Sequence, residues 1–210
     1  MFDEVVDHQL AVSLDSLPMQ TKTIAVFAAV AVLAACSTPH RLDQRWVQGA
    51  SKIDAVYDAD GDAIEYEYSI RVDTVPPAVH AAMERLYPNA VITAAEHDQE
   101  RSGVLWELIG QQDGRILKAM FHPDGKLSTV EIGMAPEDAP AAVAGIANTW
   151  PGARVTEVLR LLDAAQQHIG FQIKFQHADR LLKAGLDVDG RVLWAARQIP
   201  ATIEVPLAIE

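Results

Sequence analysis

One segment of this chain is written twice, and that repeat limits what it can fold into. Pro77-Ala-Val-His-Ala-Ala-Met-Glu-Arg-Leu-Tyr-Pro-Asn-Ala90 aligns with Pro140-Ala-Ala-Val-Ala-Gly-Ile-Ala-Asn-Thr-Trp-Pro-Gly-Ala153 at an offset of 63 residues. Further on, Arg115-Ile-Leu-Lys-Ala119 aligns with Arg180-Leu-Leu-Lys-Ala184, and Asp124-Gly125 with Asp189-Gly190, both at an offset of 65. The two extra residues of the second copy fall before Ile169, which places them in a loop. A period of this size means that one supersecondary unit is used twice.

Each copy reads the same way. A proline in the first helical turn, Pro77 or Pro140, opens a helix of 10–12 residues. It stops at Tyr87-Pro88 or Trp150-Pro151, because the residue before a proline is pushed out of the α region. Val104, Trp106 and Leu108 match Ile169, Phe171 and Ile173 with period-two spacing, the mark of a half-buried strand. Asp113-Gly114 and Asp124-Gly125 are hairpin turns. The first copy therefore predicts strands over 90–97, 103–111, 115–121 and 126–132. The expected architecture is α+β: two tandem units, 75–134 and 135–210, each one helix packed on a four-stranded antiparallel sheet. Residues 51–74 carry a further hairpin around Asp60-Gly61, the end of an incomplete third unit. Thr202–Ile209 alternates like an edge strand, with Pro206 blocking further pairing.

Upstream lies an apolar run from Ile24 to Cys36, 13 residues long. That is short of the roughly 20 residues that span a bilayer. With Lys22 before it and small residues at its end, it has the grammar of a signal peptide over 19–35. Leu33-Ala34-Ala35-Cys36 resembles the lipobox of bacterial lipoproteins. The resemblance implies an acylated Cys36 as the new N-terminus, anchored in a membrane, with 36–50 as a tether. Several acyl chains at ~0.8 kcal/mol per buried CH₂ hold firmly where one would not. Ser37 after the cysteine implies the outer membrane. The other reading of Cys36 is a buried cysteine ending a core helix. Residues 1–18 carry four acids and no base, the wrong sign for a signal peptide; either translation starts at Met19 or these residues are an unstructured extension.

The repeat motifs, a helix opening in V-P-x-A-V, an aromatic–Pro-x-Ala break and strands ending in D-G-[KR], resemble the PepSY-like family, related to the β-lactamase inhibitory protein. The matching residues are Val75, Pro77, Ala78, Val79, Tyr87, Pro88, Ala90, Trp106, Asp124, Gly125 and Lys126. In the second copy they are Pro140, Ala141, Trp150, Pro151, Ala153, Phe171, Asp189, Gly190 and Arg191. The resemblance covers 75–198 and implies an exported α+β protein that binds or inhibits another envelope protein. It transfers no catalytic residues. The secreted inhibitor is stapled by disulfides, and a chain with one cysteine cannot be.

Charge and composition narrow the chemistry. Seventeen Lys and Arg against 29 Asp and Glu give −12. Removing residues 1–35 takes away four acids and one base, leaving −9. Such a balance argues against nucleic acid, whose phosphates need clustered bases. None of the seven histidines forms an HxH, HxxH or HExxH pair, and scattered histidines are more readily solvated than ligating. Asp58-Ala-Asp60-Gly-Asp62 puts Val56 where a calcium loop needs its first carboxylate, and so reads as an acidic turn. No nucleophile elbow, phosphate loop or dinucleotide fingerprint occurs. No cofactor and no enzyme activity are expected.

The turns also set registers. Around Asp113-Gly114, Trp106 should face Phe121 and Leu108 face Ala119, under the helix. The opposite face collects Leu105, Ile109, Ile116, Lys118 and Met120, with Lys118 opposite Glu131. In the second copy Trp194 should lie beside Gly185, near Lys174 and Lys183. Ile109, Ile116, Met120, Lys174, Lys183 and Trp194 are therefore candidates to bind an exported protein partner such as a hydrolase or peptidase. Alternatively, that face is covered by the other unit or by the tail strand. A different class of function is a structural or small-ligand-binding lipoprotein with an apolar groove between the units.

Overall fold

The computed structural model describes residues 41–201; Cys36, the apolar run before it and the alternating tail lie outside them. The strands are β1 (Lys52–Tyr57), β2 (Ala63–Ile70), β3 (Val91–Glu100), β4 (Gly103–Gln112), β5 (Arg115–Phe121), β6 (Leu127–Met134), β7 (Arg154–Leu162), β8 (His168–His177), β9 (Arg180–Leu186) and β10 (Val192–Gln198). The helices are α1 (Gln44–Val47), α2 (Pro77–Leu86) and α3 (Pro140–Thr149). The β7–β8 turn has five residues, 163–167, against two, 101–102, between β3 and β4; with β7 one residue shorter than β3, the second copy is two residues longer at this point.

The expected pair of helix-on-four-strand units is corrected by the topology. All ten strands form one antiparallel sheet in sequence order, from β1 to β10. The fold is largely β. The reason lies in the unit edges: a separate unit would leave the outer backbone groups of β6 and β7 unpaired. Instead these strands pair from Val130↔Leu162 to Met134↔Val158, and β2 pairs with β3 from Glu65↔Glu100 to Ile70↔Ala95.

The helices begin and end where the prolines require. Pro77 and Pro140 occupy the first helical turn, and the Tyr87 and Trp150 N–H groups donate back to Met83 and Ile146. Val79, Ala82 and Met83 of α2 are buried against Trp106, Leu108, Ala119, Phe121 and Val130. Ala142 and Ile146 of α3 are buried against Phe171, Ile173, Phe175 and Leu186. Each large apolar side chain removed from water contributes ~1.5–3 kcal/mol. A third cluster gathers Tyr66 and Tyr68 with Leu42, Trp46 and Ile53, so part of the segment read as a tether packs through α1.

The turn glycines explain the D-G-[KR] signature. Gly125 and Gly190 hold φ of +82° and +81°. A Cβ there would stand 2.5 Å from the Ala78 carbonyl oxygen and 2.2 Å from that of Ala141. Each turn thus lies flat on the first turn of its helix, and only glycine allows both the backbone angle and the approach.

Bulges bend the sheet at matching places. The register shifts between Ile92 and Ala94 in β3, and between Val155 and Glu157 in β7. It shifts again between Met120 and Phe121, and between Val192 and Trp194. Each bulge adds local twist.

Candidate functional site: the helix-free face of the sheet

Directly paired residues share a face, and the pairings define the side that carries no helix. Trp106↔Phe121 and Leu108↔Ala119 lie under α2, as the turn registers require. Ile109↔Lys118 and Lys118↔Glu131 lie on the opposite face, as do Lys174↔Lys183 and Gly185↔Trp194. All six candidate residues stand on that face, in two groups separated by β6 and β7. Ile109 and Met120 are half-buried and Ile116 is exposed. The Thr129 hydroxyl donates to the Met120 sulfur at 3.2 Å. Lys174 Nζ pairs with Glu157 at 3.0 Å.

Trp194 is half-buried, and its indole lies on the bare backbone of Gly185. A Cβ at Gly185 would stand 2.1 Å from the indole Nε1. A continuous row then crosses the sheet. It runs from Trp194 through Gly185, Gln172 and Leu159 to Gly133, which packs against Ile116.

The sheet is strongly curled. Lys183 on β9 lowers the proton affinity of Glu65 and Glu67 on β2. In a flat sheet those strands would be about 34 Å apart, at ~4.8 Å per strand, beyond the reach of such an effect. The helix-free face is therefore the inside of the curl. Leu105, Leu159, Leu161 and Gln172, which point into it, are buried although no helix covers them.

Over β2 to β6 this inner face carries a cluster of carboxyl groups. Glu65 and Glu67 come from β2, Glu96 and Asp98 from β3, Glu107 from β4 and Glu131 from β6. Glu67 pairs with Asp98 and Glu96 with Glu107. Lys118 Nζ donates to Glu107 Oε2 at 3.2 Å and stands 3.8 Å from Glu131 Oε2. The ion pair expected between Lys118 and Glu131 is thus the longer arm of a three-residue network.

The electrostatics follow from burial and crowding. Asp98 is pushed up to about 10, first by burial and then by Glu107, Glu67, Glu65 and Glu96. Burial raises Glu65 to about 7, with Glu67 and Glu100 adding and Lys183 opposing. Burial likewise raises Glu67 and Glu107. For Lys118, burial disfavours the charge, but Glu107 and Glu131 more than offset it and raise its value. A carboxyl in such surroundings keeps its proton rather than bear an unpaired charge.

Sequence reading missed this cluster, although a trace of it was visible. Acids alternate with rings in Glu65-Tyr66-Glu67-Tyr68, Glu96-His97-Asp98 and Trp106-Glu107-Leu108. His97 is a second departure, since it is buried rather than solvated. Its ring stacks on Trp46 at 4.1 Å and meets Trp106 edge-on at 4.8 Å. Beside it is a cavity of about 230 Å³ lined by Arg45, Trp46 and His97, on the helix side.

No protein-family model matches the chain. No curated protein matches it either. Solved structures do. A BLIP-like protein from Bacteroides fragilis is 21% identical with a TM-score of 0.47, the match covering 64% of this chain and 97% of that one. A DUF2874 family protein from Bacteroides uniformis is 18% identical with a TM-score of 0.48, over 58% of this chain and 88% of its own. A candidate periplasmic protein from Bacteroides eggerthii is 18% identical with a TM-score of 0.49, over 59% of this chain and 88% of its own.

Proposed function

We propose that this chain is a non-enzymatic lipoprotein of the bacterial envelope, anchored on the periplasmic side through Cys36. Its helix-free sheet face binds another exported protein and modulates it. The observation that carries the reading is Trp194. A large aromatic, half-buried on a bare glycine, sits in the same cross-strand row as the exposed Ile116 on a face no helix covers. Aromatic anchors of this kind dominate binding energy, commonly ~2 kcal/mol or more each.

The test compares two tryptophans. Trp194→Ala should lower affinity for a partner co-purified in detergent by at least ~10-fold, with the thermal midpoint within a few degrees of the parent. Trp106 is buried in the α2 core, so Trp106→Ala should instead cost ~3–5 kcal/mol of stability. If Trp194→Ala unfolds the protein as badly as Trp106→Ala, the indole is structural packing and the reading fails.

A further inference from the structure

Asp98 is the least satisfied polar group on the inner face. It is only 1% exposed, and its Oδ1 has no hydrogen-bond partner among the described residues. Glu67 stands directly across from it on β2 and Leu105 on β4. The strongest charges around it are the carboxyls of Glu107, Glu67, Glu65 and Glu96.

Each lysine of this face is engaged by carboxyls other than Asp98: Lys52 of β1 is held by Asp54. Lys118 bridges Glu107 and Glu131, Lys174 is held by Glu157, and Lys183 acts on Glu65 and Glu67. Leaving a buried carboxyl oxygen without a donor is costly, so a retained one calls for an explanation. The arrangement lacks one positive charge at Asp98. A planar guanidinium suits the gap best, because its fork of donors can bridge carboxyls on adjacent strands.

We infer that Asp98, with Glu67 and Glu107 beside it, receives an arginine side chain presented by the protein that binds the inner face. This rests on the reading of that face as the binding surface and adds the chemistry of the partner. Glu65, Glu67 and Glu96 are half-buried on this face, whereas Asp98 and Glu107 are buried. The empty site keeps its proton on Asp98, and an entering guanidinium displaces it. Binding therefore releases a proton and strengthens as pH rises. The groups that set this are Lys52 and Asp54 of β1, Glu65 and Glu67 of β2, Glu96 and Glu100 of β3, Glu107 of β4, Lys118 of β5, Glu131 of β6 and Lys183 of β9.

The experiment titrates the full chain in detergent with the blocked peptide Gly-Arg-Gly, and with Gly-citrulline-Gly as its neutral isostere, followed by carboxyl-carbon NMR. The arginine peptide should bind saturably and shift the Asp98 carboxyl carbon to its ionised position. Its affinity should rise at least ~10-fold from about pH 6 to about pH 9. Asp98→Asn and, as a gentler change, Glu67→Gln should each weaken it while the fold persists. Equal binding of the citrulline peptide, or undiminished binding by both variants, would overturn the inference. So would calcium chloride producing the same Asp98 shift, because the site would then be a metal site. Shifts at Trp194 and Ile116 with Asp98 unmoved would refute the arginine site and leave the binding face standing. An absence of any shift up to about 50 mM peptide also refutes it, while the Trp194 comparison decides the face separately.

Discussion

Period-two alternation sends His97 and Asp98 to opposite faces of the same strand, where both become buried. His97 meets rings and, with burial depressing its basicity, stays neutral. Asp98 meets other acids. Its carboxyl, held near 10 when folded, would titrate near 4 in the unfolded chain. The folded state thus binds the extra proton across that interval. The stability linked to this group is full below about pH 4 and is lost as pH rises toward 10. Glu65, raised to about 7, adds to the loss over the lower part of the range. Asp98→Asn should therefore flatten the decline. Urea midpoints should match the parent near pH 5 and exceed it near pH 9. A variant equally unstable at both values would show that Asp98 is not the titrating group. The strand expected over 90–97 stops one residue short of Asp98, whereas β3 runs on to Glu100, and the surroundings of Asp98 were not legible because they depend on how far the sheet curls.

At the scale of elements, the two Asp-Gly turns of the first copy determined most of what the sequence could reveal. A hairpin turn fixes every pairing in its two strands. The facing of Trp106, Leu108 and Lys118 follows from those turns alone, and that of Trp194 from Asp189-Gly190 in the second copy. Helix limits were legible for a similar local reason, the prolines at either end. The junction between β6 and β7 was not, since no tight turn joins them and α3 intervenes. The docking of turn on helix is testable at Gly190. Gly190→Ala adds backbone strain and drives a Cβ toward the Ala141 carbonyl, and should cost about 2 kcal/mol or more. Gly61 has φ of +85° but open space around its would-be Cβ. Gly61→Ala should cost only the strain, about 1 kcal/mol. Chemical denaturation of the two variants separates the terms, and equal losses would show that the turn does not bear on α3.

For the whole molecule, the proposed membrane attachment falls on a residue outside the described structure and rests on the lipobox resemblance. Cys36→Ser should leave an unprocessed precursor and abolish incorporation of a radioactive fatty acid; unchanged labelling would refute the anchor. The sheet itself has a consequence for how the protein is made. Because every strand lies beside its predecessor in the chain, no strand waits for a distant segment before it can pair. Loop-closure entropy stays small at every step, and such local topologies assemble quickly. A chain emerging from a translocation pore N-terminus first could add its strands one at a time, each new edge serving as the template for the next.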